Sequence, residues 1–204
     1  PKDRLDRLVS HLSDTTKFNR PHRVPSLSYS NPKYKANGRY WVGGVWPGTN
    51  YMVITGLIDK GYRQLAWDIT TNHYNNVLKV FKKTGTFWEY YAPESAEPGF
   101  MARKDFVGWT GLPPIAELIE DIFGIRADGV EGKMTIDVNL TEAYGISRYP
   151  LGKDGLIDIK VARRSSKSEK PKVTIKTNVP LEVTVVWGDG QKAVTNVKAG
   201  SRTL

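Results

Sequence analysis

Apolar residues in the first half of the chain recur with helical spacing. Leu5, Leu8, Val9 and Leu12 occupy positions i, i+3, i+4 and i+7, which predicts an amphipathic helix near the start. Residues 48–61, GTNYMVITGLIDKG, are apolar on nearly every side, so we expect this second helix to be buried all round.

Two further helices follow the same kind of pattern. In residues 62–85 one stripe is formed by Ala66, Ile69, His73, Val77 and Val80. The fourth pattern begins at the proline pair 113–114 and ends at Gly124. A buried helix next to an amphipathic one predicts inner and outer layers, with the long loops at one end lining a pocket.

The second half of the chain changes to the period of strands. Alternating apolar and polar residues appear in GKMTIDVNL, GLIDIKVAR, PKVTIKTN, PLEVTVVW and KAVTNV. A Gly-Asp-Gly turn at 188–190 predicts a hairpin. Strands about ten residues apart indicate a small antiparallel β-sandwich. We therefore predict two domains, residues 1–124 and residues 125–204.

The longest segment without a regular period, residues 85–114, holds the most promising acid. It carries two tryptophans, two tyrosines, three phenylalanines and four acidic residues, and long ordered loops are often functional. Glu89 lies inside FWEYY. Large rings on both sides would remove water and raise the pKa of its carboxyl group, which suits proton transfer near neutral pH. Glu94, Glu97 and Asp105 have small or charged neighbours, and we expect them to be solvated.

Aromatic residues are concentrated around this loop. Of the 22 aromatic residues, 15 lie between Tyr40 and Trp109, including five of the six tryptophans. A sugar has apolar faces and polar rims, so a sugar site needs flat rings beside a few donors and acceptors. Trp41, Trp46, Trp88 and Trp109 lie in irregular segments and favour a pocket, whereas Trp67 lies mid-helix and favours a core position.

Charge and composition narrow the function further. The net charge of +9 is spread along the chain, and its densest run is RRSSKSEKPK at 163–172. This run is typical of a solvated loop, and the alternative is a contact for polyanions. Without cysteine there is no disulfide, thiolate zinc site or cysteine nucleophile.

The sequence also lacks the motifs that are typical of metal sites, phosphate-binding loops, serine hydrolases and membrane-spanning helices. The three histidines lack metal-ligand spacing, no phosphate loop or nucleophile elbow occurs, and no apolar run approaches 18 residues. We therefore expect no cofactor, no metal, no nucleic acid and no membrane partner.

Two motifs carry a resemblance to a known enzyme family. GRYWVGGVWPGTNYMVITGL, residues 38–57, resembles the Tyr-Trp-Arg-Gly-Pro-Val-Trp segment of the clan of trehalases and processing alpha-glucosidases, which includes mannosylglycerate-hydrolase-like enzymes. FWEYYAPESAEPG followed by FVGWTG resembles the Glu-x-Tyr-x-Pro and Gly-Trp-Thr pair of that clan. The resemblance covers roughly residues 15–125.

The resemblance implies an (α/α)6 barrel with a pocket at one end and hydrolysis of alpha-glycosides with inversion. One carboxylic acid then protonates the leaving oxygen while a second carboxylate activates water. By motif, Glu89 looks like the second carboxylate, the general base. The residues that the resemblance assigns to sugar binding are Tyr40, Trp41, Trp46, Asn50, Trp88, Tyr91 and Trp109.

Two positions depart from the motif, and one functional residue is not found. Val42 stands where many relatives have Arg, and Gly44 where they have Pro. The general acid of the clan is an Asp well upstream of these motifs. The expectation is therefore that the chain is the C-terminal part of a longer enzyme, an all-α toroid portion followed by a β-sandwich, whose partner is the N-terminal half of the same barrel. Such an enzyme is compatible with a periplasmic or extracellular location.

Two other hypotheses stay open at this point. The chain could be a non-catalytic carbohydrate-binding protein with a degenerate glycosidase pocket. It could also be a basic interaction module that uses residues 163–172.

Overall fold

A computed structural model describes residues 2–204 of the chain. Its contacts separate the chain into two units, one ending at Glu117 and one beginning at Leu118. The predicted boundary, between residues 124 and 125, lies seven residues further along. We refer to the two parts as the helical unit and the sheet unit.

Three α-helices form the frame of the helical unit: α1 (Lys2–Ser13), α2 (Pro47–Asp59) and α3 (Arg63–Thr84). Pro47 begins α2, where its missing N–H removes no helical hydrogen bond. Gly85, in the left-handed conformation at φ 75°, ends α3 and donates its N–H to the Phe81 carbonyl. A 3-10 turn (Trp109–Gly111) lies near the end of the long loop, and a π-helix (Pro113–Ile122) begins at the last two residues of that loop.

The burial of α2 differs from the prediction. Pro47, Asn50, Ile54 and Leu57 are buried, whereas Met52 is 72% exposed. The expectation of a helix buried on all sides is therefore wrong for this structure, because α2 packs on α3 along one face. The helices within residues 2–204 do not close a ring, so the (α/α)6 barrel stays a prediction.

Eight strands make up the rest of the sheet unit. They are β1 (Ile125–Asp128), β2 (Lys133–Val138), β3 (Tyr144–Leu151), β4 (Gly155–Val161), β5 (Val173–Thr177), β6 (Leu181–Trp187), β7 (Gln191–Val197) and β8 (Gly200–Thr203). They form two four-stranded sheets, β1-β2-β6-β7 and β3-β4-β5-β8. The β-rich C-terminal part is thus confirmed.

One strand pair corrects the prediction of a fully antiparallel sandwich. β2 and β6 pair in parallel, with Ile136 opposite Val185, and the other pairs are antiparallel. The chain leaves the first sheet after β2, builds β3–β5 in the second sheet and returns at β6 in the same direction. Alternating residues of the strands point into one aliphatic core, in which Ile136, Ile157, Ile159 and Ile175 are fully buried.

The basic run at 163–172 is folded into the sheet unit. Arg164 is buried and donates to the backbone carbonyls of Val138, Leu140, Lys167 and Glu169. Arg163 pairs with Glu142 at 2.6 Å. The most buried cation of the run therefore holds a loop, which favours the structural interpretation over a polyanion contact. No described helix is long and apolar enough to cross a membrane.

Candidate active site

A pair of backbone hydrogen bonds brings the two motif segments together. The Val45 N–H donates to the Tyr91 carbonyl at 2.9 Å, and the Tyr91 N–H donates to the Val45 carbonyl at 3.0 Å. Residues 40–46 therefore run beside residues 88–91, although they are far apart in sequence. This pairing places the predicted aromatic residues next to Glu89.

Four rings contact one another in this region, three of them stacked and Trp109 tilted against Trp46, and we call this group the aromatic platform: Trp41, Trp46, Tyr90 and Trp109. Trp46 stacks on Trp41 at 4.2 Å and 12°, and on Tyr90 at 4.4 Å and 27°. The Trp109 ring lies 5.7 Å from that of Trp46. Trp46 is buried, whereas Trp41 is 48% exposed and Trp109 is 40% exposed. The platform thus has a buried centre and two rings that face solvent.

A tight turn holds Trp41 on Trp46. The Tyr40 carbonyl accepts from the Gly44 N–H at 2.9 Å and from the Trp46 indole N–H at 3.3 Å. Tyr40 itself adopts φ 47°, an unfavourable conformation for a non-glycine residue. A Cβ at Gly44 would lie 2.4 Å from the Tyr40 oxygen. The structure therefore disfavours any larger residue at 44, and Pro most of all, because Pro has neither the space nor the N–H that this turn uses.

Glu89 lies at the edge of the platform. Its backbone carbonyl accepts from the Trp109 indole N–H at 2.7 Å, and its N–H donates to the Arg103 carbonyl at 3.0 Å. The side chain is half-buried. Among the described residues, no hydrogen bond or ion pair of the Glu89 carboxylate is found. Its backbone is therefore fixed while its carboxylate remains available to a ligand.

The phenol of Tyr90 is electrostatically coupled to Glu89. Burial first, and then the negative charge of Glu89, raise the pKa of Tyr90. The Tyr90 hydroxyl donates to the Phe100 carbonyl at 2.9 Å. The phenol therefore holds its proton more tightly than a free tyrosine, and the Tyr90 ring is fixed for stacking on Trp46.

The predicted sugar-binding residues divide into exposed and buried ones. Tyr40, Trp41 and Trp109 are exposed, and Trp88 is half-buried. Trp46, Asn50 and Tyr91 are buried. Only the exposed rings and Glu89 can meet a ligand without a rearrangement, and the buried residues support them.

Asn50, Tyr91 and Trp88 have internal partners. The Asn50 amide donates to the Trp46 carbonyl at 3.3 Å and to the Val24 carbonyl at 3.4 Å. The Tyr91 ring packs with Val45, Val77 and Val80. The Trp88 indole N–H donates to the Thr84 hydroxyl at 3.0 Å. Their assignment to sugar binding stays a prediction, since these contacts give each side chain a structural role.

Sequence reasoning missed two members of the site. Tyr90, not Tyr91, stacks on Trp46, and Phe106 lies 4.9 Å from Trp109. The signal was present, because successive residues of an extended segment point to opposite sides. If one tyrosine of the pair faces the core, the other faces the platform.

No group of three or more His, Asp or Glu side chains within residues 2–204 is placed to hold a metal ion.

Comparison with known proteins places this site in a family. Residues 1–110 match the mannosylglycerate hydrolase MGH1-like glycoside hydrolase domain. The chain belongs to this family of glycoside hydrolases. The matched residues contain the whole aromatic platform and Glu89.

Three relatives show how far the similarity to the family extends. An uncharacterized protein of Borreliella burgdorferi is 27% identical over 75% of this chain and 35% of its own length. A probable mannosyl-oligosaccharide glucosidase of Schizosaccharomyces pombe is 29% identical over 53% of this chain and 14% of its own length. The mannosylglycerate hydrolase MGH1 of Selaginella moellendorffii is 34% identical over 48% of this chain and 18% of its own length. The chain thus spans about a third or less of the length of these relatives.

Proposed function

We propose that this chain provides the general base and one wall of the sugar pocket of an inverting glycosidase that acts on an alpha-linked glucoside or mannoside. Glu89 is the base in this proposal. The supporting observation is the environment of Glu89: the residue is half-buried, its carboxylate has no ion pair among the described residues, and the exposed Trp109 donates its indole N–H to the Glu89 backbone carbonyl at 2.7 Å. The names of the relatives, a glucosidase and a mannosylglycerate hydrolase, support the choice of sugars.

In the proposed reaction the apolar face of the sugar lies on Trp41 or Trp109. The Glu89 carboxylate accepts a proton from a water molecule, whose oxygen attacks the anomeric carbon. The bond from that carbon to the leaving oxygen breaks as a carboxylic acid protonates the leaving oxygen, and the product has the inverted configuration. We assign the acid to a part of the enzyme outside these 204 residues, since the chain spans only about a third or less of the length of its relatives.

The fixed backbone of Glu89 suits this role. An inverting base must leave room for one water between its oxygen and the sugar. The hydrogen bond from Trp109 and the hydrogen bond to Arg103 hold the two peptide groups on either side of the Glu89 Cα atom. A general base held in this way contributes about 10²–10⁴-fold to the rate.

The test is the variant Glu89→Gln in the full gene product, with Glu97→Gln as its matched control. Glu97 lies in the same loop and pairs with Lys83 at the surface. Hydrolysis of aryl alpha-glucosides and alpha-mannosides should fall by about 10²–10⁴-fold in the first variant and stay within about twofold in the second. Proton NMR of the first product formed should show the beta anomer.

Two outcomes would contradict the proposal. If Glu89→Gln keeps half of the activity, Glu89 is not the base. If the unsubstituted protein binds these sugars on its tryptophans but hydrolyses none of them, the alternative of a non-catalytic carbohydrate-binding protein is correct.

A further inference from the structure

Two histidines and a glutamate lie in the interior of the helical unit, behind the Glu89 loop. His22, His73 and Glu117 are all fully buried. The His22 Nε2 and His73 Nδ1 atoms are 2.7 Å apart, and His73 Nε2 lies 3.9 Å from a Glu117 carboxylate oxygen. The three residues come from separate segments, and nothing in the proposed mechanism uses them.

Burial keeps both imidazoles neutral. Desolvation lowers the pKa of His73 to about 3. Desolvation first, and then the neighbouring His73, lower the pKa of His22 well below its ordinary value of 6.5. Two neutral imidazoles can form one hydrogen bond, because each offers one donor and one acceptor nitrogen. A proton on either ring would place a charge in this fully buried site, and protons on both rings would also present donor to donor.

The histidine pair is attached directly to the loop that carries Glu89. The His22 backbone N–H donates to the Pro93 carbonyl at 2.8 Å, and the His22 ring lies 5.8 Å from the ring of Tyr91. The Tyr91 hydroxyl turns back and accepts the Trp88 N–H at 3.3 Å. Residues 88–91 therefore form a closed loop that rests on His22, with Glu89 on it.

We propose that His22 and His73 are positioning residues for Glu89, which hold residues 88–93 in place while both rings are neutral and release them when either ring takes up a proton. The link to catalysis rests on the proposed function of Glu89. The proposed hold on the loop does not rest on that function. It follows from two contacts: the backbone hydrogen bond anchors His22 to Pro93, and the His22 ring packs against the ring of Tyr91.

The direction of the pH effect follows from the buried state of the rings. Opening the loop hydrates the imidazoles and restores their ordinary affinity for protons. A lower pH therefore favours the open loop, beginning near pH 6.5. The titratable groups that contact the pair among the described residues are Glu117 beside His73 and the Tyr91 phenol beside His22. For each imidazole that becomes hydrated on opening, the equilibrium constant for loop opening should rise about 20-fold when the pH is lowered from 7 to 5.

A variant that keeps the hydrogen bond but cannot be protonated separates this proposal from simple packing. In His22→Gln with His73→Asn, the amide groups occupy the places of Nε2 and Nδ1 and stay neutral. Thr70→Val is the matched control, because Thr70 is buried in the same helix and its hydroxyl has no hydrogen-bond partner in the described part of the chain.

The measurement is hydrogen exchange of a peptide spanning residues 86–99, corrected for the intrinsic pH dependence, with a β4–β5 peptide as internal reference. In the unsubstituted protein and in Thr70→Val, the loop should open at least about 20-fold more at pH 5 than at pH 7. In the double variant this rise in loop opening from pH 7 to pH 5 should be absent. His73→Leu, which leaves His22 without its partner, should open the loop about tenfold more at pH 7.

The same pH response in the double variant would overturn the proposal, and so would a loop that His73→Leu leaves unchanged. If His73→Leu does not fold, the double variant still decides. Failure of the proposed function is recognised separately, because an active Glu89→Gln variant would remove the base and leave these exchange results as they are.

Discussion

The unit that ends at Glu117 and the unit that begins at Leu118 bury different kinds of side chain. The sheet unit encloses one cluster of aliphatic residues from both sheets. The helical unit has two smaller apolar clusters and buries His22, Asn50, His73, Asn76 and Glu117 between and around them. The helical unit also has two exposed tryptophans, Trp41 and Trp109, whereas the sheet unit has none among the described residues.

Buried polar groups need partners, and they cost stability that an aliphatic core would supply. In the sheet unit, alternating strands satisfy the backbone and build one aliphatic cluster, and the buried Asp121 and Arg164 are not members of that cluster. In the helical unit the buried polar groups hold irregular segments in place: Asn76 binds the Pro21 carbonyl, and Asn50 binds that of Val24. The helical unit is therefore organised around the shape of its loops, and the sheet unit around its aliphatic core.

The largest expected effect is in the core of the sheet unit. Ile159→Ala removes a fully buried side chain from β4, so the free energy of unfolding should fall by about 2–5 kcal/mol. Chemical denaturation measures this, with Val194→Ala as control at a site that is 55% exposed, where we expect less than about 0.5 kcal/mol. Equal losses would remove the distinction between core and surface in this unit.

A smaller effect is expected where polar residues hold the helical unit together. Both Glu94 oxygens accept from Arg20 at 2.8 Å, and one also accepts from Tyr34 at 2.6 Å. Glu94→Gln should cost on the order of 1–3 kcal/mol. Glu97→Gln should cost less than about 1 kcal/mol, because the Lys83–Glu97 pair is exposed.

The same carboxylate gives a pH dependence. Hydrogen bonds from Arg20 lower the pKa of Glu94 below its ordinary value of 4.5. The contribution of ionised Glu94 to the stability of the fold is therefore complete above about pH 4.5. This contribution is lost as the pH falls through the lower pKa that Glu94 has in the folded state. Thermal unfolding should show that stability decreases less between pH 7 and pH 4 in Glu94→Gln than in the unsubstituted protein. An identical decrease in the two proteins would exclude this role of Glu94.

Gly99 tests the packing of the aromatic platform. A Cβ at this position would lie 2.3 Å from Tyr90 Cδ2 and 2.9 Å from the Gly38 carbonyl oxygen. Gly99→Ala should displace the Tyr90 ring, cost roughly 1–3 kcal/mol and shift the tryptophan emission. Gly56→Ala is the control, since nothing lies within 4 Å of its added Cβ and the helix should gain up to about 1 kcal/mol. Unchanged emission in Gly99→Ala would show that Tyr90 does not support Trp46.

The smallest effect concerns Asp121, an ionisable group buried in the sheet unit. Burial raises its pKa to about 6 against the opposing charge of Arg126. The folded state therefore binds the proton more tightly, and stability from this group falls as the pH rises from about 4 to about 6. Asp121→Asn should remove this fall. The difference in the free energy of unfolding between pH 4.5 and pH 7 should therefore change by on the order of 1 kcal/mol. Parallel stability curves for the two proteins would contradict it.

Sequence patterns predicted the local structure better than the distant contacts. The alternation in residues 155–163 and 171–178 correctly predicted β4 and β5. The parallel pairing of β2 with β6 was missed, because their separation along the chain leaves no local signal. The contact between His22 and His73 joins residues 51 apart, and a helical stripe indicates only that His73 faces inward. The site was predicted as a set of aromatic residues. The prediction chose Tyr91 where the structure has Tyr90 stacked on Trp46, because the pattern did not show which side of this extended segment faces the core.

The central claim, that Glu89 acts beside a sugar held on the aromatic platform, is tested most directly by comparing steady-state kinetics of Glu89→Gln and Trp41→Ala in the full gene product. Glu89→Gln should lower kcat by about 10²–10⁴-fold with little change in KM. Trp41→Ala should raise KM about tenfold, the effect of losing roughly 1.4 kcal/mol of apolar contact, and largely keep kcat. Loss of kcat in Trp41→Ala together with an active Glu89→Gln would contradict the account.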